Sequence, residues 1–114
     1  MIKYKVIFHL DENEKLPLVM SNALNLKKNI EGEEVNIEIV VNALAVKSFI
    51  SEDNKYYERL KDLKSKNIRI LLCKNSLKTY GIKEEELLEE IEVISSAVEY
   101  MVRKQYEGYA YLKP

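Results

Sequence analysis

Apolar positions recur along this chain with periods that switch between two and about 3.6, and the order of the switches predicts a fold. Ile2, Tyr4, Val6, Phe8 and Leu10 share one face and Ile7 and His9 the other, the pattern of a strand over residues 2–10. Asp11-Glu12-Asn13-Glu14 interrupts it, with Asp11 and Glu14 spaced as a helix-entry cap. Pro17 suits a first helical turn, and Leu16, Val19, Ala23, Leu26 and Ile30 then repeat at helical spacing as far as Glu31-Gly32-Glu33. Residues 35–41 predict a second strand, whose end, Ile39-Val40-Val41, is apolar throughout and so buried on both faces. Asn42 is placed to cap a short helix that turns Ala43, Val46, Phe49 and Ile50 inward.

A loop at Ser51-Glu52-Asp53-Asn54 leads to a helix marked by Tyr56, Leu60 and Leu63, with Arg59, Lys61, Lys64 and Lys66 on its solvated face. Residues 68–73, Ile-Arg-Ile-Leu-Leu-Cys, predict a third strand. Asn75 would then cap a turn or two of helix that Gly81 stops. Residues 84–90 predict a short acidic helix with Leu87, Leu88 and Ile91 inward, and Glu92-Val93-Ile94 a short strand. Ser96-Ala97-Val98-Glu99 has the capping-box form and opens a helix expected to bury Val98, Met101, Val102 and Gln105. Gly108 ends it before a last strand over residues 109–112. Strands alternating with helices predict one α/β domain over residues 1–114, a three-layer α/β/α sandwich around a mainly parallel sheet.

Composition narrows the partners. The 114 residues carry 18 basic and 19 acidic side chains, a formal charge of −1, so the basic footprint of a nucleic-acid binder is missing. No apolar run approaches the ~18–20 residues that span a bilayer, and no signal-peptide core opens the chain. Cys73 is the only cysteine, which rules out an intrachain disulfide or dithiol cycle and fits a reducing cytoplasm. The three glycines, Gly32, Gly81 and Gly108, follow neither the first nor the second strand, so no phosphate-cradling loop exists and no nucleotide or flavin cofactor is expected. A single histidine and a single cysteine without clustered carboxylates make no zinc site, and no G-x-S-x-G elbow is present.

Ligands of an open parallel sheet bind beyond the carboxyl ends of its strands. Those ends carry His9 and Asp11, Asn42, then Cys73, Lys74 and Asn75, and finally Ser95 and Ser96. Cys73 has the strongest physical case, because it ends a strand where a helix begins, and amide N–H groups there favour thiolate over thiol. The competing role is space filling, the usual fate of a free cysteine. His9 is either a core histidine bonded to backbone or a proton handler facing Cys73. Asn42, Asn75, Ser95 and Ser96 are each explicable as caps. Tyr100, Tyr106, Tyr109 and Tyr111 read as core and subunit contact.

Val6-Ile7-Phe8-His9-Leu10-Asp11, the strand Ile37-Glu38-Ile39-Val40-Val41, the turn Cys73-Lys74-Asn75-Ser76-Leu77 and the segment Val93-Ile94-Ser95-Ser96-Ala97-Val98 resemble the DsrE/DsrF-like (YchN-like) proteins, as does the ending Gln105-Tyr106-Glu107-Gly108-Tyr109-Ala110-Tyr111. The resemblance spans the full length and implies a five-stranded sheet assembled as a homotrimer or hexamer. It also implies a persulfide carried on Cys73, the residue matching the C-x-N-S-L position, within a relay between a sulfur donor and an acceptor protein. His9 matches a histidine at the first strand's end in small members, while Ala43, Ala45 and Ala97 replace frequent glycines. The site expected on this basis joins Cys73 and His9 as catalytic residues with Asn42, Lys74, Asn75 and Ser95 as substrate contacts, Cys73 lying partly exposed in a cleft at a subunit boundary. The alternative is a non-catalytic oligomeric module that binds a small ligand or a protein at the same edge.

Overall fold

A computed structural model describes residues 3–114; Ile2, which the strand pattern includes, lies outside them. Five strands, β1 (Lys3–Leu10), β2 (Glu34–Val41), β3 (Ile68–Cys73), β4 (Glu92–Ile94) and β5 (Ala110–Leu112), form one sheet in the order β4-β3-β2-β1-β5. Every neighbouring pair is parallel. The helices are α1 (Leu16–Asn29), α2 (Tyr57–Ser65), α3 (Lys74–Thr79) and α4 (Ala97–Tyr106).

This order explains how the layers fill. The chain steps in one direction from β1 to β4, and right-handed crossovers put α1, α2 and α3 on one face of the sheet. It then returns across the whole sheet from β4 to β5, which puts α4 alone on the other face. The first face is accordingly the larger core, in which Val6, Phe8, Leu10, Ile39, Val41, Ile70 and Leu72 meet Leu16, Met20, Phe49, Leu60 and Leu63. Each such fully buried side chain contributes about 1.5–3 kcal/mol. Beneath α4 the apolar set is small: Ile7, Val40, Leu71 and Cys73 against Ala97, Tyr100 and Met101. Toward the amino ends this face turns polar, and Glu38, 1% exposed, accepts from Tyr100 Oη at 2.5 Å and from Arg69 Nη1 at 3.0 Å. Arg69 also reaches Glu92, by Nη2 at 2.7 Å and Nε at 2.9 Å.

Several local expectations change. Residues 84–90 are not a helix: Glu84–Glu86 make one 3-10 turn, and Leu87 then runs extended to bridge Ile50. Leu87 and Leu88 are still buried, which is what the apolar pattern required. The helix at Asn42 is a 3-10 run, Ala43–Phe49, that buries Ala45, Val46 and Phe49 and leaves Ala43 exposed. On α4 the inward face is Ala97, Tyr100 and Met101; Val98, Val102 and Gln105 point outward, Val98 63% and Val102 50% exposed. The apolar arc of this helix is wider than the narrow sheet face it covers, so its outer half has no partner within the chain. Asp11 does not cap the first turn; its Oδ1 accepts from Lys113 Nζ at 3.1 Å. Gly81 does stop α3, at φ 66°, where Ile82 N–H donates to Leu77 O and Gly81 N–H to Lys78 O in a Schellman pair. Among the described residues no helix is long and apolar enough to cross a membrane, and no three acidic, histidine or cysteine side chains gather as metal ligands.

Candidate functional site

The carboxyl edge of the sheet brings Cys73 together with two helix starts. Cys73 is the last residue of β3 and itself the N-cap of α3, so Asn75 lies in the first turn and does not cap it. Ile94 is the register partner of Cys73 across β3 and β4. The two-residue turn Ser95-Ser96 therefore returns α4 over the sulfur, and the Ala97 amide donates to Cys73 Sγ at 3.4 Å. Ser96 holds that helix start by accepting from the Glu99 amide at 3.3 Å, the expected cap.

Burial pushes the Cys73 thiol up, yet its net position lies below the ordinary thiol value. The Ala97 amide is the largest downward influence, followed by the amide and hydroxyl of Ser76 and the amide of Asn75. The latter groups face the sulfur in looser geometry than a true side-chain cap. Ser76 is oriented from behind, since its Oγ accepts the Ala43 amide at 2.9 Å, which leaves its own O–H proton for the sulfur. Ala43 holds φ 55° to make that contact, a left-handed conformation uncommon for alanine. Cys73 itself is 6% exposed, so the expected partly open cleft is replaced by a nearly covered thiol.

His9 and Asn42 lie on the same sheet face as this sulfur. His9, Asn42 and Cys73 alternate onto the α4 face of β1, β2 and β3, and continuing the β2–β3 register by one residue pairs Asn42 with Cys73. Asn42 occupies the N-cap position of the 3-10 run but makes no capping bond; its Oδ1 lies 2.9 Å from His9 Nε2. His9 Nδ1 lies 2.5 Å from Tyr111 Oη, so His9 bonds to side chains and is not a core histidine bonded to backbone. Lys74, Asn75 and Ser95 are exposed at the rim. Ser76, the Ala97 amide and Tyr111 were not among the residues expected from sequence. Ser76 had a signal, its position three residues after an N-cap; Tyr111 had none, because the pairing of β5 with β1 is a product of the chain's return crossover. A cavity of about 630 Å³ lies at the opposite edge, between Leu24, Ile30, Val35 and Lys66, away from all of these groups.

The DsrE/DsrF-like family model matches residues 3–114. The chain belongs to the DsrE/DsrF-like family. That family is associated with sulfur relay. Among solved structures, protein MTH1491 of Methanobacterium thermoautotrophicum, described as of unknown function, is 34% identical, with a TM-score of 0.89 over 97% of this chain and 99% of that one. The ychN protein of E. coli shares the fold at 18% identity and a TM-score of 0.74, over 97% of this chain and 99% of its own. BT1422 of Bacteroides thetaiotaomicron, also described as of unknown function, does so at 18% and 0.76, over 96% and 94%. No curated protein matches the chain by sequence.

Proposed function

We propose that this protein is a sulfur carrier that holds a sulfane sulfur as a persulfide on Cys73 and passes it to a partner thiol. The observation that carries the reading is the Ala97 amide donating to Cys73 Sγ at 3.4 Å, which, with the nearby amides of Ser76 and Asn75 and the Ser76 hydroxyl, favours the thiolate despite burial. Thiolate is the form that takes sulfur, and it is also the leaving group when sulfur departs. In loading, the Cys73 thiolate attacks the outer sulfur of a donor persulfide, and the donor leaves as its own thiolate. In unloading, an acceptor thiolate attacks the outer sulfur, the bond from that sulfur to Cys73 Sγ breaks, and the electron pair returns to Sγ. Both steps balance without an external oxidant or reductant. With one thiol per chain, the acceptor has to come from another molecule.

The expected assembly is a homotrimer or hexamer in the cytoplasm, and the outward stripe Val98, Val102 and Tyr106 on α4 supports self-association. A second reading, an oligomeric binding module with Cys73 as a packing residue, draws on the 6% exposure of Cys73 and its contacts with Ile7, Val40 and Leu71. Mass spectrometry of native protein treated with a sulfane donor separates the two. The carrier gains the mass of one sulfur atom, lost again on reduction and never gained by Cys73→Ser. A native protein that stays unmodified while its unfolded form reacts supports the binding module.

A further inference from the structure

The hydrogen-bonded chain Tyr111–His9–Asn42 runs across the sheet edge toward the strand that ends in Cys73, and its polarity follows from its members. Asn42 Oδ1 only accepts, so His9 Nε2 carries the proton and donates to it at 2.9 Å. In the neutral imidazole Nδ1 is then an acceptor, and the Tyr111 hydroxyl donates to it at 2.5 Å. The carbonyl end of the Asn42 side chain is thereby committed to His9, and both N–H groups of Nδ2 remain. Among the described residues no group accepts from them. Asn42 shares a sheet face with Cys73 and lies one residue beyond Val41, the register partner of Leu72, so the two positions stand on neighbouring strands, whose spacing is about 4.8 Å. An outer sulfur would lie a further ~2 Å beyond Sγ. The donors around Cys73 named above act on Sγ itself.

We propose that Asn42 binds the outer sulfur of the Cys73 persulfide through its side-chain amide, and that His9 and Tyr111 are positioning residues that fix which way this amide faces. The assignment rests on the carrier reading, and it gives His9 a role other than proton transfer. Tyr111 acts through His9, and His9 acts through Asn42. The division of labour follows the electrons: Ala97, Ser76 and Asn75 receive charge on Sγ as the sulfur leaves, and Asn42 holds the atom that is attacked.

Because His9 is the only histidine, one imidazole appears in a long-range ¹H–¹⁵N spectrum of the full-length protein, and its tautomer is read directly. The expected result is the Nε2–H form in the native protein and a shift toward a mixed population in Tyr111→Phe; a native Nδ1–H form overturns the chain. The second arm loads Cys73 with a sulfane donor and follows transfer to dithiothreitol. Asn42→Ala loses the N–H donors and adds no charge, so transfer slows about 10- to 100-fold, as expected for one hydrogen bond to an anion, and Asn42→Asp, which puts a like charge there, slows it at least as much. Tyr111→Phe slows transfer by a smaller factor. Unchanged transfer in both Asn42→Asp and Asn42→Ala overturns the assignment of Asn42 while leaving the carrier intact. A Cys73 that never loads, whatever the tautomer, overturns the carrier and this assignment together.

Discussion

Tyr100→Phe removes one oxygen atom from the inner face of α4 and strands a carboxylate. The Glu38 side chain is 2% exposed and has two partners, Tyr100 Oη on Oε1 and Arg69 Nη1 on Oε2. The aromatic ring survives the change, so no apolar burial is lost and no sizeable cavity opens. What remains is the loss of one hydrogen bond to a charged, buried acceptor, about 1.5–3 kcal/mol. Burial, followed by the Glu38 hydrogen bond and charge, pushes the Tyr100 phenol well above its ordinary range, so the hydroxyl stays protonated and donating across neutral pH. Urea unfolding followed by circular dichroism at pH 7 should give a loss of about 2 kcal/mol. Glu38→Leu alone should also destabilise, since it leaves the Tyr100 hydroxyl buried without its partner. The double variant should cost less than the sum, with a coupling of about 1–2 kcal/mol, because neither polar group is then left behind. Arg69 retains Glu92 in every case. Costs that add to within ~0.5 kcal/mol would mean that Tyr100 and Glu38 are not coupled. Ala97 sits one turn before Tyr100 on the same helix face, so this clasp also helps to set where its amide meets Cys73.

Ser76→Ala should slow alkylation of native Cys73 at pH 7 about two- to fivefold, since it removes a hydroxyl that favours the thiolate; an unchanged rate means the Ser76 hydroxyl does not serve the sulfur. Ala43→Gly should raise stability by about 0.5–1 kcal/mol in thermal unfolding, because relief of a left-handed alanine exceeds the entropy cost of glycine there; a loss contradicts the strain at φ 55°. Gly81→Ala should lower stability by about 1 kcal/mol through conformation alone, since an added Cβ meets nothing within 4 Å. The hydrogen bond from Arg69 holds Glu92 below the ordinary carboxylate range, so the native state binds fewer protons there than the unfolded state. That stability is present above the ordinary value of about 4.3 and is lost as pH falls through the lower native one. Glu92→Gln should flatten the acid limb of a stability–pH profile by less than about 1 kcal/mol, because the pair is partly exposed.

The apolar periods located the strands because alternation of Val6, Phe8 and Leu10, or the unbroken run of Ile39 to Val41, follows directly from which sheet faces are buried. They misjudged residues 84–90 because burial of Leu87 and Leu88 satisfies a helix and an extended bridge equally. They reversed part of α4 because Val98 and Val102 are as apolar as Met101, and only the width of the sheet face decides which are covered. At the site, Cys73 and His9 were legible as rare residue types at strand ends. The hydrogen bonds that define them were not. Tyr111 reaches His9 across 102 positions, and Ala43 reaches Ser76 across 33, distances set by strand order and not by local pattern.

A sulfur carrier depends on the state of one sulfur, and the rate of iodoacetamide alkylation against pH, read by intact mass on folded protein, measures that state. The result expected is modification of Cys73 without unfolding, with a midpoint below that of an ordinary cysteine near 8.5 and a rise toward it in Ser76→Ala. A midpoint at or above that value, or modification confined to unfolded protein, would contradict the carrier and leave Cys73 a packing residue.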